Sequence, residues 1–156
     1  MSKKVAYYGI FAALAVLMGY IEFVLPSPVP IQGVKLGLAN VIVVIAMYFM
    51  GEKSALAISV VRVIMSSLLF GGFSGFLYSI AGALVSFGAM CIVKKIKAVS
   101  IIGVSIVGGI FHNIAQITVA ALVLNTKGVF YYLPVLLISG VITGIIIGLI
   151  SKYCLA

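Results

Sequence analysis

Long apolar runs alternate with short polar breaks along the chain. Six runs stand out, at 5–25, 36–50, 54–70, 76–93, 101–124 and 129–150. The breaks carry turn chemistry. "PSPVPIQG" is rich in prolines, which remove backbone donors and favour an extended path. "GGFSG", "KKIKAVS" and "NTKG" supply glycine, charge and small polar residues. A helix standing upright in a bilayer needs about 20 apolar residues, within a range of about 17 to 25. The second run falls short of that range. The pattern therefore predicts an all-α polytopic membrane protein of six transmembrane helices, forming one integral membrane domain over 1–156. Its second helix is expected to begin below the outer surface, with the proline loop dipping in to meet it. Non-helical backbone at that depth is tolerated only where it is buried in protein or lines a cavity.

Composition agrees with the pattern. The 156 residues are 65% hydrophobic and 8% charged, whereas a soluble domain carries about 25% charged residues. The formal net charge of +8 would suit nucleic acid, but the lysines sit at the ends of apolar runs and read as topology signals. With the N-terminus inside, Lys3, Lys4, Lys53, Lys94, Lys95, Lys97 and Lys152 face the cytoplasm, and Lys35 and Lys127 face out. That bias places both termini in the cytoplasm. Cys91 and Cys154 then lie at inner helix ends, where a disulfide is not expected. Lys3, Lys4 and the Ala13-Leu14-Ala15 stretch mimic a signal peptide. Cleavage there would cut the first helix in half, so an uncleaved first span is expected.

Small residues recur at helical spacing. Gly140, Gly144 and Gly148 form a ladder on the last run. Ser79, Ala83 and Phe87 share one stripe of the fourth, and Gly82 and Ser86 another. Gly9 with Ala13, and Ala15 with Gly19, pair on the first. Such stripes let helices approach closely. Packing within the bundle is the reading preferred for the last helix, with docking to another subunit as the alternative.

Few polar residues interrupt the runs, so each is informative. Arg62 lies about 12 Å along its helix from Ser54, and His112 about 16 Å from Ile101, at 1.5 Å per residue. Both reach similar depth near the middle of the core. Asn113 and Gln116 flank His112. Glu22, Asn40 and Lys35 cluster toward the outer side. These seven are the candidate binding residues. For His112 a hydrogen bond to a neighbouring helix is the plainer reading. Arg62 could cap a loose carbonyl or pair with Glu22. Yet the chain has only two acidic residues, Glu22 and Glu52; Glu52 falls in an inner loop, and Lys35 competes for Glu22. A guanidinium cannot lose its charge, so a buried arginine lacking a counter-ion implies a bound anion or a wet cavity. Tyr78, Phe76, Phe73 and Tyr131 near the outer ends fit an interfacial aromatic belt, or a stacking surface for a planar ring.

Catalysis by this chain is not expected. "GEKS" lacks the upstream glycine loop of a phosphate cradle. There is no C-x-x-C pair, no H-E-x-x-H and no aspartate at all, so the carboxylate sets that hold Mg²⁺ against pyrophosphate are missing. His112 has no acid in sequence reach to build a hydrolase triad. No cofactor or metal is expected.

"GVKLGLANVIVV", the arginine followed by "LLFGG", "FLYSIAGALVS" and "GVSIVGGIFHNIAQ" together resemble the Gx transporter family, also named heptaprenyl diphosphate synthase component I. That family is grouped with the S components of energy-coupling factor (ECF) transporters, and the resemblance covers almost the whole chain. It implies a substrate-capture subunit in the cell membrane of a prokaryote. Such a subunit would hold a vitamin-like solute near the outer face and be driven by a separate coupling protein and ATPases. Docking on the coupling protein would use small residues of the first helix, here Gly9, Ala12 and Ala13. The remaining contacts would be with membrane lipid, and none with nucleic acid. The family's other name implies an alternative, a non-catalytic membrane accessory of a prenyl diphosphate synthase or isoprenoid pathway. Redox work is not expected, because no haem, cluster or flavin attachment motif is present.

Overall fold

The computed structural model describes residues 2–25, 35 and 37–156, which form helices and their connections with no strand. The elements are α1 (Ser2–Val24), α2 (Asn40–Phe49), α3 (Glu52–Ser66), a π-helical turn (Ser67–Gly71), α4 (Gly72–Lys94), α5 (Ile101–Val123), a 3-10 turn (Lys127–Tyr132) and α6 (Leu133–Leu155). Four stretches, 3–24, 52–94, 101–123 and 127–155, are long and apolar enough to cross a membrane. The stretch 52–94 is not one rod. Gly72 has φ 65° and ψ −177°, a conformation open to glycine, and it turns the chain between α3 and α4. The expected loop "GGFSG" is thereby reduced to a corner at its second residue. The proline-rich loop expected at 26–33 lies outside the described residues.

Ten residues give α2 a length of about 15 Å, half the thickness of a hydrocarbon core of about 30 Å. It starts four residues later than the run at 36–50 suggests. It sits inside the bundle, with Val43, Val44, Ala46 and Met47 fully buried. Ile42, Ile45 and Tyr48 are partly buried and Phe49 is exposed, so most of the surface of α2 meets other helices, which fits a segment apolar on nearly every side.

Inter-helix contacts fix the direction of the helices. Gly140, Gly144 and Gly148 of α6 lie against Gly109, Ser105–Ile106 and Ile102 of α5 in turn, so these two helices are antiparallel. A Cβ at Gly144 would stand 2.6 Å from the Ile106 Cα, so the last helix's ladder is packed inside the bundle. Gly82 of α4 meets His112, and Met90 meets Gly108, so α4 and α5 are antiparallel as well. Tyr8 bonds Ser54 at 2.7 Å and Gly19 faces Ser66, so α1 runs parallel to α3. Phe49 at the end of α2 packs on Tyr7 and Phe11 near the start of α1. Both chain ends therefore lie at one end of the bundle. The same end carries the α2–α3 corner and the α4–α5 connection, where Lys94 donates to the Met47 carbonyl at 3.1 Å and stands 3.6 Å from Glu52.

Two apolar clusters fill the interior. One joins α2 to Ala15, Ala55, Ile58, Phe87, Met90, Val104 and Ile147. The other joins Tyr78, Ile117, Ala120, Val129 and Leu136 toward the opposite end. On α3, α4 and α5 the buried polar residues fall beyond the first cluster, and on α5 they fall between the two; on α6 Thr143 does the same, while Ser151 lies on the other side of Ile147.

Candidate functional site

The short α2 creates a local problem. Lys35 and residues 37–39 precede α2 outside any helix, and a buried, unpaired peptide N–H is costly. Side chains solve it. Glu22 Oε1 accepts from the backbone N–H groups of Gly37 and Leu38. Gln116 Oε1 accepts from the N–H of Lys35 at 3.1 Å. The turn then closes on itself, with Asn40 N donating to the Gly37 carbonyl at 2.9 Å. Gly37, at φ 85°, is the residue that permits this path. It lies directly on the His112 ring: a Cβ there would stand 3.3 Å from His112 Cδ2. On the ring's other side, a Cβ on Gly82 would come within 2.8 Å of Cε1 and Nδ1. The imidazole is thus held between two glycines, one on the entering loop and one on α4.

Arg62 is 6% exposed. Among the described residues its Nε and Nη2 have no hydrogen-bond partner, and the one ion pair within 4 Å joins Lys94 and Glu52. The pairing with Glu22 weighed from the sequence is therefore not made: that carboxylate serves the loop amides instead. Neither does Lys35 take it. The Lys35 ammonium stands 5.6 Å from the centre of the Phe70 ring. Burial pushes the Lys35 ammonium below its ordinary range; the Glu22 carboxylate opposes this and the Arg62 charge adds to it. Glu22 and Gln116 both serve the stretch that carries Lys35 and Gly37, Gly37 lies on His112, and Gly19 of α1 faces Ser66 of α3, which sets the Glu22 and Arg62 helices side by side. Glu22 Oε2 and Gln116 Nε2 are, like the two Arg62 nitrogens, buried and unpartnered among the described residues.

The structure thus draws Glu22, Lys35, Arg62, His112 and Gln116 together from α1, the entering loop, α3 and α5. Asn113 and Asn40 bond to other helices through their amide nitrogens, while Asn113 Oδ1 is buried and unpartnered among the described residues. Asn113 Nδ2 donates to the Leu136 carbonyl at 2.6 Å and ties α5 to α6. Asn40 Nδ2 donates to Ser86 Oγ at 3.2 Å and ties α2 to α4. Of the four outer aromatics, Tyr78 is buried in the second apolar cluster, whereas Phe73 and Tyr131 are largely exposed. Gly37, Gly82 and Phe70 are part of the site's frame and were not singled out for it from the sequence. The signal for Gly82 was present, since it stands on a small-residue stripe of α4.

Residues 11–154 match the family model described as heptaprenyl diphosphate synthase component I. The chain belongs to that family. Every member of the buried polar group in this component I protein falls within the matched stretch. No curated protein and no solved structure matches the chain. Among the described residues of the component I chain, no three His, Cys, Asp or Glu side chains gather into a metal-binding group.

Proposed function

We propose that this chain is a substrate-binding membrane subunit, similar to the S components of ECF transporters, for uptake of a small anionic or vitamin-like solute. The observation that carries the reading is Arg62: a charge buried at mid-bundle, with two donor nitrogens unpartnered among the described residues. A scaffold gains nothing from such a residue, whereas an anion site requires one. The chain makes six alternating passes, with α2 as a short buried one, and sits in the cell membrane. Seven lysines gather at the end that holds both termini, and by the positive-inside rule that end is cytoplasmic. The polar group then lies between the middle of the bundle and its outer end.

Energy comes from partners. The buried group offers one carboxylate, already engaged by two amides, so it makes a poor proton relay. An ECF-type coupling protein and its ATPases would dock on the small face of α1. Gly9 and Ala13 there are exposed, and a Cβ on Gly9 would meet nothing within 4 Å. Ala12 and Ala13 also line a groove of about 590 Å³ between α1 and α3.

Native mass spectrometry of the purified chain tests the binding role. A small acidic solute should accompany the wild type and be lost from Arg62→Met. Retention of the same solute by Arg62→Met would refute the assignment. Reconstitution of the chain alone in liposomes tests the energetics, since accumulation under an imposed proton or sodium gradient would remove the need for partners. Gly9→Leu or Ala13→Leu should block uptake in cells and spare binding. The family description favours a second reading, a non-catalytic membrane accessory of a prenyl diphosphate synthase. An isoprenoid in place of the acidic solute would support that one.

A further inference from the structure

We infer that the solute held at this site is a small carboxylic acid that also carries an N–H donor, its carboxylate on Arg62 and its donor on Glu22. The inference rests on the solute-binding reading above and narrows it to a chemical class. The two unpartnered nitrogens of Arg62, Nε and Nη2, belong to one edge of the guanidinium. That edge presents two parallel N–H groups, which match the two oxygens of a carboxylate. Gln116 contributes a third donor: its Oε1 is taken by the Lys35 amide, and its Nε2 is unpartnered among the described residues. Glu22 contributes the opposite chemistry. Its Oε1 is filled by two backbone N–H groups, and its Oε2 is left as a buried acceptor. An ionised carboxylate only accepts, so the group that meets it has to donate.

Charge selects among anions. The buried group holds Arg62 and Glu22, with half-buried Lys35 beside them, a net of one positive charge when all three are ionised. A monoanion neutralises it. A diphosphate would bring more negative charge than the group can balance and set some of it against Glu22. An acid without a donor would leave Glu22 Oε2 unpaired.

The test uses the full chain in lipid nanodiscs and four probes: N-acetylglycine, N-acetylsarcosine (the same acid without its N–H), N-acetylglycine methyl ester (the same donor without the charge) and geranyl diphosphate. Thermal unfolding is followed against probe concentration. N-acetylglycine should bind at least about tenfold more tightly than N-acetylsarcosine, the ratio expected from one hydrogen bond to a charged group, and should exceed the ester by more, because the ester loses the paired bonds to Arg62 as well as the charge. Geranyl diphosphate should not bind at the site. In Glu22→Gln the amide nitrogen replaces Oε2 as Oε1 keeps the loop, and the preference for N-acetylglycine over N-acetylsarcosine should vanish. Equal binding of the two acids, tighter binding of geranyl diphosphate, or no shift with any probe overturns the inferred class. The broader solute-binding reading fails separately, on the retention of a co-purified solute by Arg62→Met.

Discussion

Arg62→Met should make the solute-free protein more stable while abolishing solute binding. The side chain is 6% exposed, and two of its nitrogens lack partners among the described residues. A buried polar group left unsatisfied costs about 1–3 kcal/mol, more when charged. Insertion scales put an arginine at a helix centre at about 2.5–3.5 kcal/mol. Exchange of buried charges for apolar side chains of similar volume has stabilised proteins by about 1–4 kcal/mol. Methionine preserves most of the length and flexes to fill the space. One term opposes the gain: Glu22 loses a nearby positive charge. It keeps its bonds from Gly37 and Leu38, so that loss is the smaller, and a gain of about 1–4 kcal/mol is expected. The assay is reversible denaturation in detergent after exhaustive removal of solute, comparing wild type, Arg62→Met and the Arg62→Met/Glu22→Gln double variant. The double variant should be at least as stable as the single one. If Arg62→Met instead unfolds more readily than the solute-free wild type, the arginine holds the fold together and the argument from its unpartnered nitrogens is wrong. Arg62→Lys, which keeps the charge and loses the fork, should gain no stability and bind poorly.

Gly144→Ala places a Cβ 2.6 Å from the Ile106 Cα and 2.9 Å from the Ser105 carbonyl. Neither neighbour can move without shifting α5, so a loss of about 1–3 kcal/mol is expected, against a helix-propensity gain of about 1 kcal/mol. Gly9→Ala, with nothing within 4 Å, should be neutral or stabilising; denaturation of both variants checks the pair, and equal stability would mean that α5 and α6 are not in close contact. Asn113→Ala should cost about 1–2 kcal/mol by removing the bond to Leu136 and leave solute affinity unchanged; a loss of affinity in a binding titration would return Asn113 to the site. In a Cys91→Ser, Cys154→Ser background, a cysteine at Thr126 should react with an impermeant reagent on intact cells and one at Lys95 should not. The reverse pattern would invert the proposed orientation.

The sequence by itself determined the class of this protein and the polar residues that matter. Apolar runs of that length leave the chain no way to cover itself in water, and backbone groups in an apolar phase are satisfied locally only by helix. The all-helical fold and its breaks follow from those two facts. Arg62, Glu22, His112 and Gln116 were conspicuous because every polar side chain in such a run carries an energetic cost. Tertiary structure decided which partners Glu22 and Gln116 took, and left two Arg62 nitrogens with none among the described residues. Glu22 could have met Arg62, Lys35 or the backbone, and the entering path of Gly37 and Leu38 settled it in favour of the backbone. Asn113 is adjacent in sequence to His112, yet the two look to different helices, since consecutive residues on a helix are about 100° apart. The Gly140–Gly144–Gly148 ladder, for which packing within the bundle is the preferred reading of the sequence and an outside partner the alternative, is occupied by α5. These choices depend on helix rotation and on contacts between residues as far apart as Lys35 and Gln116. A local pattern of apolar and polar positions carries no record of either.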